Sequence, residues 1–241
     1  MLVVLSLLPG GSIFAEEIRV VTEIWEPYSF EKNGRVIGIS TEIVEYSLKR
    51  ADISISGGKI EVHPWVRSYH AALNSENVLI YTILRTQERE KLFKWVGPII
   101  PSERFYFYKR RTREDISVSS LDEARKYQIG ALRGSVHVGF LKNNGFPESV
   151  IQTVGKQDLN LLKLLKGRID FIIDTDSSLE IRTKQMNLPL SEFEKSLFLF
   201  ENGYYMAFNR KTPYNTVEKV RDAFSELKNE GEIYKIIEKY K

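Results

Sequence analysis

The feature that most constrains this chain is a strand–helix–strand rhythm that runs to Pro98 and starts again after Pro101. Ile18 to Thr22 alternates apolar and polar residues as a short strand does, and Ile43, Val44, Leu48 and Ala51 share one face of a helix that Thr41 is placed to cap. Strands are predicted at Lys59 to Val62 and Val78 to Thr82, with a helix from Trp65 to Leu73 between them. In the second series Arg104 to Lys109, Gln128 to Leu132, Ile151 to Val154 and Ile169 to Ile173 read as strands. Ser120 starts one helix, Gly134-Ser135 opens another, and Asp158 to Leu165 is a third that Gly167 ends. The tail adds a strand at Tyr204 to Asn209, a helix with Val217, Val220, Phe224 and Leu227 three or four apart, and a short last helix after Gly231. Such a rhythm predicts the α/β class, with a mixed or parallel sheet covered by helices. With no repeat and no low-complexity segment, the economical division is two compact lobes of about 100 residues each.

Composition narrows the partners. The charge of +3 comes from 35 basic and 32 acidic residues with no block of one sign, so nucleic acid and anionic membrane are not favoured. There is no cysteine, hence no disulfide framework and no cysteine for lipid attachment. Residues 1–15 form an apolar stretch broken by Pro9, Gly10 and Gly11, with Ala15 before Glu16-Glu17, and resemble the hydrophobic and cleavage regions of a secretory signal. The stretch is too short to cross a bilayer, which takes about 20 apolar residues. The first positive charge is Arg19, so a basic leader region is missing and a late-called start is expected; the alternative is an apolar segment of the folded domain. The expected address is the periplasm, without a lipid anchor.

Arg89 is the residue on which function turns. It sits in Thr86-Gln87-Glu88-Arg89-Glu90, just after the run Val78-Leu79-Ile80-Tyr81-Thr82, where a strand end and a short turn can aim a guanidinium into a cleft. Arginine suits a carboxylate because it offers parallel N–H donors in a fixed fork and keeps its charge. An isolated arginine on a charged turn is otherwise a solvated one. No metal or cofactor is indicated: His63, His70 and His137 are scattered without ligand spacing, and no serine sits in a nucleophile elbow.

Several landmarks, in order, resemble the bacterial family 3 extracytoplasmic solute-binding proteins, the polar amino-acid binding components of ABC importers. They are Val20-Val21-Thr22-Glu23-Ile24-Trp25-Glu26-Pro27-Tyr28-Ser29-Phe30 followed by Gly38-Ile39-Ser40, then Thr86-Gln87-Glu88-Arg89 with Phe93 and Pro98. Leu165-Lys166-Gly167-Arg168-Ile169-Asp170-Phe171-Ile172-Ile173-Asp174 and Leu227-Lys228-Asn229-Glu230-Gly231 complete the set. The resemblance implies a two-lobed periplasmic-binding-protein-like fold of type II that closes on a ligand by a hinge. Residues 16–101 and 200–241 would build one lobe and 102–199 the other.

The same resemblance implies the site. Trp25 corresponds to the aromatic that stacks on the ligand, with Tyr28 and Glu23 beside it, and Glu23 is suited to a ligand ammonium. Arg89 takes the carboxylate, helped by Thr82 and by the helix N-terminus at Ser135, where unpaired N–H groups favour an anion. Two departures stand out. Gly134-Ser135-Val136 has one hydroxyl fewer than the family usually shows, and the position of the usual ammonium-binding aspartate is Thr175, flanked by Asp174 and Asp176. Either a local bulge brings one aspartate into the cleft, or the amino group is recognised otherwise. Trp65-Val66-Arg67 and Arg85 follow a subgroup pattern; Arg67 or Arg85 could add positive charge to the cleft, or both could pair with surface acids while Trp65 is core.

The resulting expectation is a monomeric, non-catalytic protein that captures a small carboxylate-bearing ligand, an amino acid or close relative, and presents it to an ABC permease. An enzyme of the cyclohexadienyl dehydratase kind, which shares this fold, is the alternative. A ligand-binding module of a sensory system is a third reading.

Overall fold

The computed structural model describes residues 16–240, so the signal-like segment lies outside the described residues. The chain opens with β1 (Glu17–Thr22), β2 (Phe30–Lys32), β3 (Arg35–Ile37), α1 (Ile39–Arg50), β4 (Ser54–Ile55), β5 (Glu61–Val62), α2 (Trp65–Asn74), β6 (Val78–Leu84) and α3 (Gln87–Glu90). A long strand, β7 (Phe93–Arg110), leads into α4 (Leu121–Ala124), β8 (Ile129–Leu132), α5 (Val136–Asn143), β9 (Ile151–Val154), α6 (Asp158–Leu165), β10 (Phe171–Asp174) and α7 (Asp176–Gln185). A second long strand, β11 (Phe193–Asn209), returns the chain to α8 (Tyr214–Asn229) and α9 (Glu232–Lys239).

The strands form one sheet in the order β4-β1-β6-β11-β7-β10-β8-β9, with β5 also on β1, while β2 and β3 make a separate hairpin. Each end of the sheet is parallel: β1 with β4, β5 and β6, and β8 with β9 and β10. The middle is antiparallel, because β11 runs against both β6 and β7, and β10 against β7. This is a mixed α/β fold of two lobes, each a small helix-covered sheet, with β7 and β11 passing through both.

The two through-strands do not pair evenly. Their register shifts repeatedly between Lys195 and Met206, and an uneven ladder bends and twists there. The prolines read as a break in the sequence, Pro98 and Pro101, lie inside β7 at positions missing from the ladder, where the absent N–H costs no hydrogen bond. The second lobe is therefore entered along a continuous strand and not through a loop.

Local chemistry fixes the elements near the cleft. Asn33 and Gly34 both have positive φ (53° and 74°), which joins β2 to β3 in a tight hairpin. Gly38 (φ 127°) caps α1, and a Cβ there would lie 2.5 Å from the carbonyl oxygen of Tyr28. The helix thus starts before Thr41, whose hydroxyl instead meets the Tyr81 hydroxyl at 2.8 Å. Ile43, Val44 and Leu48 turn inward from α1, with Glu42 in the first turn and Lys49 and Arg50 in the last, matching the helix dipole.

Candidate functional site

A cavity of about 410 Å³ lies between the lobes. Glu23, Trp25, Trp65, Thr82 and Arg89 face it from the first lobe, and Ser135, Val136, His137, Asp174 and Arg182 from the second.

Thr82 is placed by a defect in the sheet. Along the β6–β11 ladder Ile83 pairs with Tyr205 and Tyr81 with Met206, so Thr82 is an extra residue, a bulge. Its φ is 58°, a left-handed conformation that is unusual for a β-branched residue. Its buried hydroxyl has no hydrogen-bond partner. Backbone strain of this kind persists where the surroundings enforce it and concentrates at binding sites.

Arg89 comes from α3, whose short turn carries the guanidinium back beneath β6. It is buried and donates a hydrogen bond to the Leu84 carbonyl at 3.2 Å. Its guanidinium carbon lies 5.4 Å from the centre of the Trp65 ring and 5.0 Å from that of Tyr69, a cation–π setting. Among the described residues it has no carboxylate within ion-pair distance; burial lowers its affinity for the proton, and Tyr69 and the more distant Glu88 oppose that shift. A buried guanidinium without a counter-charge is costly to keep and well suited to a ligand anion.

The opposite wall offers complementary groups. Ser135 is the N-cap residue of α5, and its buried hydroxyl has no partner. Two residues further on, His137 is buried with both ring nitrogens unpartnered, and desolvation, followed by the nearby Arg89 and Arg182 charges, pushes it down to about 4. The imidazole is neutral at physiological pH. Asp174, the last residue of β10, accepts a hydrogen bond from the Thr175 N–H at 3.0 Å, and its other oxygen lies 3.5 Å from Arg182 Nε. That spacing is an ion pair without hydrogen-bond geometry. Burial raises the Asp174 carboxyl above its usual range, and Arg182 opposes the shift. Arg182 is anchored by Asp158 at 3.1 Å and by Ser178 at 3.0 Å.

Glu23, at the end of β1, exposes part of its surface to the cavity but is otherwise enclosed by protein. Desolvation pushes it up to about 8, with Arg182 pulling the other way, so it is mostly protonated at neutral pH.

Five expected site residues lie elsewhere. Tyr28 is buried among Trp25 and Tyr204 and donates to Glu103 at 2.9 Å, so it supports the Trp25 ring from behind. Thr175 faces its own helix, where its hydroxyl accepts from the Ser178 N–H and caps α7. Asp176 points away from the cavity because the first turn of α7 rotates it to the outer face; it takes 2.6 Å and 2.7 Å contacts from Tyr108 and Lys195. Arg67 is exposed on α2, and Arg85 is held outside the cavity by Glu90 at 2.7 Å, against the rings of Trp95 and Tyr205. Among the polar cavity residues that the sequence did not point to are His137, Lys156, Gln157, Asp158 and Arg182. His137 was visible as a histidine in the first turn after Gly134-Ser135, whereas Arg182, two turns into a polar helix, carried no local signal.

The lobes touch across the cavity. Trp65 Nε1 donates to the Gly134 carbonyl at 3.0 Å, Trp25 Nε1 to Ser178 Oγ at 3.2 Å, and Asn143 Nδ2 to Glu88 Oε1 at 2.7 Å. Among the described residues no group of three His, Cys, Asp or Glu side chains is arranged to hold a metal, and no helix is long and apolar enough to cross a membrane.

A family model described as "Bacterial extracellular solute-binding proteins, family 3" matches residues 18–241. The chain belongs to this solute-binding family. A relative within reach of sequence comparison is the "Probable amino-acid-binding protein YxeM" of Bacillus subtilis (strain 168), 21% identical, covering 100% of this chain and 91% of that protein. Among solved structures, a histidine kinase sensor domain with similarity to periplasmic binding proteins superposes with a TM-score of 0.81 at 14% identity, covering 94% of this chain and 96% of that one. An ancestral arginine-binding protein bound to arginine gives 0.76 at 19% identity, with 93% and 97% covered. At these identities the structures establish the solute-binding fold.

Proposed function

We propose that this protein is the extracytoplasmic receptor of an ABC importer and captures a small carboxylate-bearing ligand, an amino acid or a close relative. The observation that carries the reading is Arg89: a buried guanidinium without a counter-charge, facing a cavity beside the unpartnered hydroxyls of Thr82 and Ser135. A carboxylate takes the guanidinium fork with one edge and the hydroxyls with the other. Trp25 and Trp65 supply flat apolar walls for the rest of the ligand. One cleft forms the whole site, so a monomer suffices, and the uneven middle of β7 and β11 is where the lobes would hinge. The residues of the first lobe would be 16–101 and 200–241, and the address the periplasm.

The test is a thermal-shift screen of amino acids, oxo acids and dicarboxylates, followed by calorimetry, because a ligand that binds only the folded form raises its melting temperature. Stabilisation by carboxylates that vanishes in Arg89→Ala supports capture; no stabilisation by any of them removes it. A sensory role differs only in the partner, and pull-down of a permease rather than a receptor kinase separates the two.

Glu23 favours a second reading. A carboxyl kept protonated near neutral pH inside a cleft is equipped to donate a proton, as a dehydratase of the cyclohexadienyl kind requires. Incubation with prephenate or arogenate, read by the absorbance of an aromatic product, decides it: turnover lost in Glu23→Gln supports the enzyme, and its absence leaves the receptor.

A further inference from the structure

The question left open by carboxylate capture is what else the ligand carries, and the cavity wall answers it by its own charge balance. An α-amino acid needs an acceptor for its ammonium. The acid placed for that role is Asp174, the one aspartate at the end of β10 that faces the cavity. It is not free. One oxygen is held by the Thr175 N–H, and the other is met at 3.5 Å by Arg182, a guanidinium fixed at its far end by Asp158 and Ser178.

We propose that Arg182 occupies the place on Asp174 that a ligand ammonium would take, and so selects small carboxylates of net negative charge over zwitterionic and cationic ones. The inference rests on the carboxylate-capture reading and deepens it. Of the guanidiniums on the wall, Arg182 is ion-paired with Asp174 and Asp158, while Arg89 has no carboxylate within ion-pair distance among the described residues and feels Glu88 only from farther off. Glu23, held largely protonated by its burial, does not cancel Arg89 at neutral pH. Lys156 also lines the cavity, so Arg89, Lys156 and Arg182 stand against Asp158 and Asp174, and the described lining carries one more positive than negative charge. A ligand bearing one net negative charge cancels it; a zwitterion brings its own positive charge into the same low-dielectric space and leaves the imbalance in place.

Both arginines have roles that mutation can separate. Arg89 governs whether any carboxylate binds, and Arg182 governs the charge of the remainder. Calorimetry at pH 7 with glutamate, glutamine, arginine and 2-oxoglutarate compares ligands of similar size and different charge. Glutamate and 2-oxoglutarate are expected to bind at least about tenfold more tightly than glutamine and arginine. In Arg182→Gln that preference is expected to shrink by about tenfold, with glutamine gaining, because Asp174 is released to accept an ammonium. Arg182→Lys keeps the charge and is expected to keep the preference, which guards against misfolding of the glutamine variant. Asp174→Asn is expected to tighten 2-oxoglutarate binding about threefold or more, since it removes a negative charge from an anion site.

Tighter binding of glutamine or arginine than of glutamate by the wild type overturns the charge rule while leaving carboxylate capture standing. So does an unchanged preference in Arg182→Gln, a lost preference in Arg182→Lys, or weaker 2-oxoglutarate binding in Asp174→Asn. Failure of all four ligands to bind, or wild-type affinity in Arg89→Ala, overturns the capture reading itself.

Discussion

Arg89 and Arg182 are both guanidiniums set into the wall of one cavity, yet the two lobes treat them in opposite ways. The first lobe buries Arg89 against the rings of Trp65 and Tyr69 and, among the described residues, places no acid within ion-pair distance of it. The second lobe surrounds Arg182 with Asp158, Asp174 and Ser178. A charge without a partner is poised for a ligand, whereas a charge already paired shapes what the ligand is allowed to carry. Binding strength is thus expected to reside in the first wall and selectivity in the second.

The comparison breaks most directly at Arg89. Arg89→Ala is expected to cost about 3 kcal/mol or more of binding, the upper range for a charge-assisted hydrogen-bonded contact, with the fold retained. The unliganded variant should be no less stable than the wild type, because it no longer buries an unmatched charge. Arg89→Lys should be nearly as damaging to binding, since an ammonium cannot reproduce the fork. Calorimetry and thermal melting measure both, and affinity within about threefold of wild type in either variant would remove Arg89 from the site.

The next effect is a pH dependence with one sign from each wall. Glu23 is raised to about 8, so between its ordinary value near 4.5 and about 8 the unfolded chain has lost this proton while the folded chain keeps it. Folded stability contributed by this group falls as pH rises across that window. His137 is lowered to about 4, so between 6.5 and about 4 the unfolded chain gains a proton that the folded chain refuses, and stability falls as pH drops. The expectation is a rise in melting temperature at pH 8 for Glu23→Gln, and at pH 5 for an apolar replacement of His137. Melting curves across pH 5–9 that remain parallel to wild type would show that these groups are solvated in the unliganded protein.

The two walls also differed in how far the sequence revealed them. Trp25, Trp65, Thr82 and Arg89 come from landmarks whose residue types announce their chemistry, and the strands and helices that carry them follow periodic apolar patterns. On the second wall the end of β10 was ambiguous, because a strand side chain reverses direction with each residue. Only the folded backbone, with Thr175 turned into the cap of α7, sends Asp174 inward and Asp176 outward. Arg182 reaches Asp174 across eight positions and a change from strand to helix, a juxtaposition that no periodicity encodes. The bulge at Thr82 was equally silent, since the pairing of β6 with the distant β11 creates it. The long β11 was half-seen because Lys195 to Phe200 belongs to an unevenly paired ladder whose apolar residues do not alternate cleanly between faces.

The unpartnered hydroxyls sharpen the comparison at a smaller scale. Thr82→Val and Ser135→Ala each remove one donor aimed at the cavity while keeping most of the side-chain shape, and each is expected to weaken binding by about 1 kcal/mol. Equal losses place the ligand carboxylate between the walls. A loss in Thr82→Val alone, by calorimetry on the same ligand, would place it wholly on the first wall beside Arg89.

The smallest expected effect tests whether the walls are joined by more than the ligand. Trp65 serves both functions at once: its ring lies against Arg89, and its Nε1 donates across the cleft to the Gly134 carbonyl at 3.0 Å. Trp65→Phe keeps an aromatic face over the guanidinium and removes the donor, leaving a carbonyl that regains water only when the lobes part. The expected loss is about 0.5–1 kcal/mol of affinity, the net worth of one neutral hydrogen bond. On the proposed hinge closure that bond forms as the lobes shut on the ligand, so the loss should fall on the dissociation rate, about two- to fivefold faster, with the association rate unchanged. Stopped-flow measurement of both rates separates this from damage to the Arg89 contact, which the alanine series reads independently. A dissociation rate equal to wild type would mean that closure is held by the ligand, Trp25–Ser178 and Asn143–Glu88 without help from Trp65.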